Sequence, residues 1–247
     1  MPVKIGDTVS FDEIFSNRNG ILLNSGDIHV WSVALDAKKD FFEKCLMSLS
    51  EQERKRIPFF KFEKVQNSYI ISQGTLRLFL SSYLNQAPQT IHIGRHNKGK
   101  PFPTDFPELR FNMSNSGNKV VYVFSGDEEV GIDLEKLRDM PDLEELIAKN
   151  FSFNEQNYIN KTQDNRQQRF FKFWTIKEAY LKAIGEGMRL PPHNLEFSVE
   201  NGLYKLRSVN GVFEQEDWLF TDIPEKDYVG TLVYKNPDAK ISLRRLI

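Results

Sequence analysis

The stretch KVVYVFSGDEEVGIDLE, residues 119–135, contains two apolar runs separated by Ser125–Glu128. Runs rich in Val, Ile, Tyr and Phe predict β-strands, and Gly126-Asp127 between them favours a tight hairpin. In the second run, Asp133 and Glu135 are two residues apart. Alternate side chains of a strand point to the same side, so we expect these two carboxylates to lie together as a pair.

A second stretch, FWTIKEAYLK at residues 173–182, predicts a helix with a polar stripe. Trp174, Glu178 and Lys182 recur at intervals of four, so on a helix they share one face. Two carboxylates from a strand and a third from this helix would supply the hard oxygen ligands that Mg²⁺ prefers. The ammonium group of Lys182 would then neutralise a nearby phosphate. Trp174 is expected to pack in the core.

The rest of the chain alternates between strand-like and helical patterns. Residues 1–26 are mixed and polar and predict a loose lead-in. Strands are expected at 29–36, 89–94 and 109–114, and helices within 48–62, over 63–83, around 143–149 and over 170–184, the last ending at Gly185. A terminal antiparallel set over 195–234 is expected to turn at Asn201-Gly202. Helices and hairpins in each half favour an α+β fold with antiparallel sheets.

Length and composition limit the class of protein. A chain of 247 residues fits one large domain or two halves of about 120 residues. The net charge of −1 argues against a generic nucleic-acid binder, which usually has a strongly basic domain. Cys45 is the single cysteine, so we expect no disulfide framework, and a reduced cytosol is the simplest location.

The sequence shows neither a signal-peptide pattern nor a membrane-spanning segment. The N-terminal stretch has no apolar core of signal-peptide type. No uninterrupted apolar run approaches the roughly 20 residues that span a bilayer. The sequence therefore predicts a cytoplasmic protein without membrane or nucleic-acid partners.

Four segments, in this order, carry a family resemblance. They are GKPF (99–102), FNMSNS (111–116), VGIDLE (130–135) and FWTIKEAYLK (173–182). Together they resemble the surfactin-type 4′-phosphopantetheinyl transferases, whose hallmark is G-[IV]-D and, about 40 residues later, W-[ST]-x-K-E-[AS]-x-x-K. In this chain 40 residues separate Asp133 from Trp174. The resemblance covers roughly residues 48–192.

The resemblance implies two similar α+β halves, residues 1–125 and 126–247, with a linker near Ser125 and coenzyme A in the cleft between them. It implies transfer of the phosphopantetheine arm of coenzyme A to a serine of an apo acyl or peptidyl carrier protein, with release of 3′,5′-ADP. The implied metal is Mg²⁺, with Mn²⁺ as the alternative. Acidic helices of the carrier would dock near residues 136–160, and the chain length is similar to that of the monomeric type.

The resemblance also implies a metal site and a catalytic set. Asp133, Glu135 and Glu178 match the metal ligands, while Asp133, Glu178 and Lys182 match the catalytic residues. Glu178 is the candidate base for the incoming serine, and a metal-held water is the competing proton acceptor.

Several further positions match contacts to coenzyme A. They are Arg56, Lys100, Pro101, Ser114, Asn115, Lys177 and Lys182. Arg56 is expected at the 3′-phosphate, with Arg54 as its substitute, and Lys182 at the pyrophosphate. Lys100, between Gly99 and Pro101, is expected to form a wall around adenine.

Two departures from the family pattern remove positive charge, namely Asn115 in place of the usual histidine and Glu53 where some relatives carry a basic residue. They motivate a second hypothesis, a catalytically weak protein that binds coenzyme A or a carrier. A third hypothesis, from the carboxylates alone, is another Mg²⁺-dependent pyrophosphate enzyme such as a hydrolase. The simplest alternative makes Glu178 and Lys182 an ordinary exposed i,i+4 pair and leaves Glu135 in solvent at a strand end.

Overall fold

The structure is a computed structural model that describes residues 4–15, 20–213 and 217–246. The helices are α1 (Phe11–Phe15), α2 (Lys39–Ser48), α3 (Glu51–Arg56), α4 (Glu63–Leu84), α5 (Leu143–Asn150), α6 (Phe153–Ile159) and α7 (Arg166–Ile184). The strands are β1 (Lys4–Val9), β2 (Asp27–Ala34), β3 (Ile93–Arg95), β4 (Pro101–Pro103), β5 (Arg110–Ser116), β6 (Lys119–Ser125), β7 (Gly131–Lys136), β8 (Leu195–Glu200), β9 (Leu203–Val209), β10 (Val212–Phe213), β11 (Leu219–Asp222), β12 (Tyr228–Tyr234) and β13 (Lys240–Leu246). The prediction of an α+β fold is confirmed.

A five-stranded sheet, here called the large sheet, has the order β1-β13-β2-β6-β5. Strands β2, β6 and β5 are antiparallel neighbours, whereas β13 runs parallel to both β1 and β2. Helix α4 covers one face, where Trp31, Phe79, Tyr122 and Phe124 pack in an aromatic core. The Tyr122 hydroxyl donates to the Ser72 carbonyl of α4 at 2.8 Å, so this buried polar group is satisfied.

A three-stranded sheet of order β11-β12-β7, here called the small sheet, packs against α7. The adjoining sheet β10-β9-β8 contains the predicted hairpin at Asn201-Gly202, where both residues have positive φ (51° and 78°), as a two-residue turn requires. Phe170, Phe173 and Phe197 are buried in the core between α7 and these strands.

A further cluster joins the large and small sheets. Val121 and Val123 of β6 are buried in it together with Ile132 and Leu134 of β7. The intervening β6 residues face α4, because alternate residues of a strand point to opposite sides. The unbroken apolar run VVYVF thus belongs to a strand that is buried on both faces.

The predicted hairpin within residues 119–135 is wrong. Both strands form, but β6 pairs with β2 and β5, whereas β7 pairs with β12. Because both edges of β6 are occupied, the chain crosses after Ser125 from the large sheet to the small sheet. Asp127 accepts hydrogen bonds from Ser25 Oγ at 2.6 Å and from the Gly26 amide at 3.2 Å. A Gly-Asp pair between apolar runs predicts a change of direction but does not identify the pairing partner.

The N-terminal segment also departs from expectation. A loose lead-in is predicted over residues 1–26, yet residues 4–9 form β1 and residues 11–15 form α1, whereas residues 20–26 are coil and turn. Residues 1–3 and 16–19 lie outside the described residues. Strand β1 pairs with β13, from the opposite end of the chain. The parallel pairings of β13 with β1 and with β2 make the large sheet mixed rather than antiparallel. Strand β13, from the C-terminal part of the chain, thus lies in the same sheet as β2, β5 and β6.

Local signals at helix ends were more reliable. The Ser50 hydroxyl accepts from the Glu53 amide and the Glu53 carboxylate accepts from the Ser50 amide, a capping box that starts α3. Helix α7 ends at Gly185 with φ 75°, as predicted. The strand expected at 89–94 is shorter, because a 3₁₀ turn precedes β3. No helix in the described ranges has the length and apolar character to cross a membrane.

Candidate active site

The two carboxylates of GIDLE share one side of β7, opposite to its residues that pack on the large sheet. Gly131 lies on the same side and faces α7. A Cβ at Gly131 would lie 2.0 Å from the Ala179 carbonyl oxygen, so a side chain there would force the helix away. The glycine therefore lets α7 lie directly against β7, next to Asp133 and Glu135.

Asp133 is buried between β5 and α7. Its Oδ1 atom accepts hydrogen bonds from Ser114 Oγ and from Lys182 Nζ, both at 2.7 Å. Its Oδ2 atom is also buried and has no hydrogen-bond partner among the described residues. A buried carboxylate oxygen without a donor is unfavourable unless a cation or another donor reaches it. One oxygen of Asp133 is thus suited to a positively charged ligand.

Glu135 is held by a parallel arrangement. Ser116 Oγ donates to Glu135 Oε2 at 2.7 Å, and Arg138 Nη1 lies 3.3 Å from the same oxygen. Ser114 and Ser116 are two residues apart on β5, so one S-x-S segment holds the D-x-E segment of β7. The sequence reasoning named Ser114 but missed Ser116. The signal was the second serine of FNMSNS at the same spacing as the carboxylates.

Glu178, on α7, is influenced by the charges of Asp133, Glu135 and Lys182. Burial raises the pKa of its carboxyl, the negative charge of Asp133 raises it further, the Lys182 ammonium opposes the rise, and Glu135 adds to it. The charges of Asp133, Lys182 and Glu135 therefore all act on the Glu178 carboxyl. Glu178 is half-buried rather than part of an exposed i,i+4 pair.

The three carboxylates meet the requirements of a divalent cation only in part. Among the residues that the structure describes, no group of three or more His, Cys, Asp or Glu side chains is arranged to hold a metal ion. Lys182 and Arg138 instead contact Asp133 and Glu135. The chemistry of the set nevertheless fits, since carboxylate oxygens are hard ligands and Asp133 Oδ2 lacks a donor. Lys182 and Arg138 would have to move aside for a divalent ion to contact Asp133 and Glu135.

The assignment of Lys177 to cofactor binding is wrong. Its side chain is 0% exposed, and its ammonium pairs with Glu155 Oε2 at 2.6 Å. The same nitrogen donates to the carbonyl oxygens of Asn150, Pro192 and Leu195 at 2.8 to 3.0 Å. Burial lowers the pKa of Lys177, and the Glu155 carboxylate opposes that change. Lys177 therefore anchors α7 to α6 and its neighbours and has no access to a ligand.

Lys100 joins the β3–β4 hairpin to the end of α7. Its Nζ donates to Glu129 Oε2 at 2.6 Å, to the Ala183 carbonyl at 2.7 Å and to the Val130 carbonyl at 3.2 Å. Burial lowers the pKa of Lys100, while the Glu129 carboxylate raises it. Gly99, with φ 99°, provides the turn before it.

Two cavities flank Lys100. The smaller, of about 270 Å³, includes Lys100, Pro101, Asn112, Met113 and Lys182 in its wall. It therefore brings together three positions predicted to contact the cofactor, beside the Asp133 carboxylate. The larger cavity, of about 850 Å³, has a wall with several basic groups and one indole, from Arg95, Lys98, Lys235 and Trp218.

Arg56 and Asn115 are both exposed. The Arg56 guanidinium lies 5.7 Å from the centre of the Tyr69 ring. Asn115 points to the face of β5 opposite to Ser114 and Ser116, because side chains alternate along a strand. The structure therefore separates Asn115 from the serines that hold the carboxylates.

The neighbours of Arg56 on α3 have other partners. Arg54 Nη2 donates to the Met47 carbonyl at 2.6 Å. Glu53 pairs with Arg77, which also donates to the Pro88 carbonyl at 2.6 Å. Glu53 thus has a structural role that combines helix capping with an ion pair to α4.

Two family models match this chain. The model described as the 4′-phosphopantetheinyl transferase superfamily matches residues 129–233. A second, described as 4′-phosphopantetheinyl transferase, N-terminal, matches residues 34–126. Both stretches of the site, GIDLE and FWTIKEAYLK, lie within the first match.

Similar proteins with names were also found. The chain is 34% identical over 172 residues to 4′-phosphopantetheinyl transferase HetI of Nostoc sp., covering 68% of this chain and 73% of that one. It is 35% identical over 150 residues to 4′-phosphopantetheinyl transferase gsp of Aneurinibacillus migulanus, covering 59% and 60%. Identity to the L-aminoadipate-semialdehyde dehydrogenase-phosphopantetheinyl transferase of Xenopus laevis is 28% over 198 residues, covering 72% and 65%.

Proposed function

Because this chain belongs to the 4′-phosphopantetheinyl transferase superfamily, we propose that it transfers the 4′-phosphopantetheine arm of coenzyme A to a serine of an apo carrier protein. The other product is 3′,5′-ADP, and the proposed metal is Mg²⁺. The acceptor is an acyl or peptidyl carrier protein. We also propose that the chain consists of two similar halves, residues 1–125 and 126–247, with strand β13 of the second half placed in the sheet of the first. A long helix on each of the large and small sheets supports this division.

The observation that carries the proposal is the Oδ2 atom of Asp133. It is buried, lacks a donor among the described residues, and belongs to a carboxylate that already contacts Lys182 in the wall of the smaller cavity. A pyrophosphate with its counter-ion would supply a cation for the unpartnered Oδ2 atom and a second anionic partner for Lys182, whose ammonium now contacts the Asp133 carboxylate.

Asp133, Glu135 and Glu178 would hold the divalent ion. When bound, the ion supplies charge neutralisation for the pyrophosphate, which otherwise repels these carboxylates. Ser114 and Ser116 hold the strand carboxylates in fixed orientation through hydrogen bonds of 2.7 Å. This support on β5 means that the ligand oxygens do not depend on a mobile loop.

Glu178 is the proposed general base. The carrier serine loses its proton as its oxygen forms a bond to the β-phosphorus of coenzyme A. The bond from that phosphorus to the oxygen bridging the two phosphates breaks, and 3′,5′-ADP leaves. Burial and the Asp133 charge raise the pKa of Glu178, which makes its carboxylate a stronger proton acceptor.

The remaining contacts concern the nucleotide. Lys182 would exchange its partner Asp133 for the pyrophosphate, while Lys100 and Pro101 form the wall near adenine. Ser114 would act mainly by positioning Asp133. Arg56 and Asn115, both exposed, are the proposed contacts to the 3′-phosphate.

Mass spectrometry of a carrier protein tests this function. Purified apo acyl and apo peptidyl carrier proteins are incubated with the enzyme, coenzyme A and Mg²⁺, with an Asp133→Asn enzyme as control. The expected result is a gain of one phosphopantetheine group that depends on enzyme and metal. Release of 3′,5′-ADP with no modified carrier would favour a hydrolase, and coenzyme A binding with no product would favour a binding protein.

We further infer that the enzyme acts as a monomer in the cytoplasm. The single buried Cys45 supports a reducing compartment, since it provides no partner for an intramolecular disulfide. Chain length, compared with the family, supports the monomeric type.

A further inference from the structure

Three large apolar side chains, close to one another in the sequence, are exposed where α3 passes into α4. Phe59 is 84% exposed, Phe62 is 70% exposed and Val65 is 49% exposed. We call these three residues the Phe59 patch. Phe60, between them, packs inward with its ring 4.8 Å from that of Tyr69. The outward aromatic rings are therefore not needed to fill the core at this corner, and large exposed apolar groups that cluster often mark interaction sites.

Basic residues flank the Phe59 patch in the sequence. Between residues 54 and 65 the sequence has five Lys or Arg and a single acidic residue, Glu63, although the whole chain carries 33 basic and 34 acidic residues. Lys61 and Lys64 alternate with the patch residues and are exposed. The surface thus combines apolar contact area with an excess of positive charge, which suits an acidic amphipathic partner.

The Phe59 patch lies on the helix face that leads to the candidate active site. Val65, Tyr69 and Gln73 are spaced by four residues on α4 and so form one stripe. Gln73 Nε2 is 3.9 Å from Met113 Sδ, and Met113 lines the smaller cavity beside Ser114. At 1.5 Å per residue, Val65 and Gln73 are about 12 Å apart along the helix.

We propose that the Phe59 patch is a docking surface for the carrier protein, which would contact it through an acidic helix with exposed apolar residues. The inference rests on the proposed function. A partner seated on the patch would lie at the start of the α4 stripe that leads to Gln73, which contacts Met113 in the cavity wall, so a loop bearing the acceptor serine would extend along this stripe toward the site. The docking region implied by the family resemblance, residues 136–160, belongs to α5 and α6 and is a different surface.

Two variants separate the apolar and the charged contributions. Phe59→Ala/Phe62→Ala removes the aromatic contact area, and Lys61→Glu/Lys64→Glu reverses the charge. Phe213→Ala is the matched control, because Phe213 is 82% exposed on β10 and outside the patch. Circular dichroism and thermal unfolding verify that each variant is folded.

The measured quantities are KM for the carrier, KM for coenzyme A, and kcat at saturating carrier. We expect each patch variant to raise the carrier KM about tenfold, with KM for coenzyme A and kcat unchanged, while Phe213→Ala has no effect. We also expect added salt to raise the carrier KM of the wild-type enzyme, and the charge-reversed variant to lose that dependence.

An unchanged carrier KM in both folded variants would overturn the docking proposal. The docking proposal would also be overturned if the wild-type protein bound vesicles containing phosphatidylserine through the patch, and the patch variants lost that binding while their carrier KM stayed unaltered. A wild-type enzyme that modifies no carrier would instead overturn the proposed function. Direct binding of labelled apo carrier, measured by fluorescence anisotropy, then tests the surface without turnover, with weaker binding by the patch variants as the supporting result.

Discussion

The proposed role of Glu178 as general base can be tested by a single substitution. Its carboxyl has a raised pKa, mainly because of burial and then because of Asp133. Glu178→Gln keeps the shape of the side chain but removes the proton acceptor. We expect kcat to fall at least 100-fold, the order of magnitude of general-base contributions.

The comparison for this variant is the exposed carboxylate Glu108, changed to Gln. Coenzyme A binding by calorimetry should stay measurable in both proteins, so that loss of turnover is not loss of ligand. Near-normal turnover of Glu178→Gln would remove Glu178 from the proton transfer and leave a bound water as the acceptor.

His29 provides a test of stability against pH. It is buried beside Tyr83, whose hydroxyl is 2.9 Å from His29 Nδ1 and 2.9 Å from Trp31 Nε1. Trp31 can only donate, so the Tyr83 hydroxyl is free to donate to a neutral imidazole. Burial, together with Arg244, lowers the pKa of His29 to about 4.

The direction of the effect follows from this lowered pKa. Below the unfolded value of 6.5 the unfolded chain binds a proton that the native protein excludes, so stability falls as pH drops from 6.5 to about 4. The loss over that window is about 3 kcal/mol. Urea unfolding at about pH 7 and about pH 5 samples the upper part of this window, where we expect a loss of about 2 kcal/mol. His29→Gln should reduce the difference, and the exposed His92→Gln should not.

Element contacts depend on small features that a sequence pattern can locate but not explain. Gly131 illustrates this, because a Cβ there would lie 2.0 Å from the Ala179 carbonyl oxygen and 2.6 Å from the Ala183 nitrogen. Gly131→Ala must therefore separate α7 from β7, and we expect a loss of about 2–3 kcal/mol in the free energy of unfolding. Urea unfolding provides the measurement.

Gly126→Ala is the matched control for this change. A Cβ at Gly126 would meet its nearest neighbour, Leu23, at 3.9 Å, an ordinary contact distance. Equal stabilities of the two variants would mean that α7 does not lie as close to β7 as described.

Lys177 and Glu155 test how α7 is fixed to α6. Lys177→Met would leave the Glu155 carboxylate buried without its cation, and such a loss typically destabilises by about 3–5 kcal/mol. Lys177→Met/Glu155→Gln removes the buried charge, and the amide oxygen of Gln can still accept from one of the two backbone amides that contact Glu155, that of Phe197 or that of Ser152. We therefore expect the double variant to be more stable than the single one in urea. A double variant less stable than Lys177→Met would contradict this explanation.

Features that depend on adjacent residues could be predicted from the sequence, whereas contacts between distant residues could not. Capping at Ser50 and the stop at Gly185 were predictable, because both depend on a few adjacent residues. The spacing of Asp133 and Glu135 likewise identified their shared side of β7. The burial of Lys177 was not predictable, because its partners come from α6 and from residues 192–195, far away in the sequence.

At the scale of the whole molecule, long-range strand pairing escaped prediction. The apolar runs around Gly126-Asp127 were correctly assigned as strands, but the identity of their partners depends on β2, β5 and β12. Strand β13 similarly enters the large sheet between β1 and β2. Neither pairing leaves a signal in the local sequence, because apolar alternation fixes the face of a strand and not its neighbour.

The position of β13 in the large sheet leads to a prediction about the cooperativity of unfolding. The large and small sheets share a buried cluster, and β13 ties the end of the chain to the large sheet. We expect one unfolding transition in urea, although Trp31 and Trp218 lie in different cores. In a variant whose single tryptophan is Trp31, and in another whose single tryptophan is Trp218, the fluorescence midpoint should coincide with the circular dichroism midpoint of the same variant. Separate midpoints would indicate two independently unfolding halves.

The most direct measurement of the central claim is anomalous diffraction from a crystal of the chain with coenzyme A and Mn²⁺. The account predicts one manganese peak within bonding distance of carboxylate oxygens of both Asp133 and Glu178, with the pyrophosphate beside it and Lys182 turned toward the phosphate. A manganese ion bound to only one of these carboxylates, with the pyrophosphate located elsewhere, would contradict it.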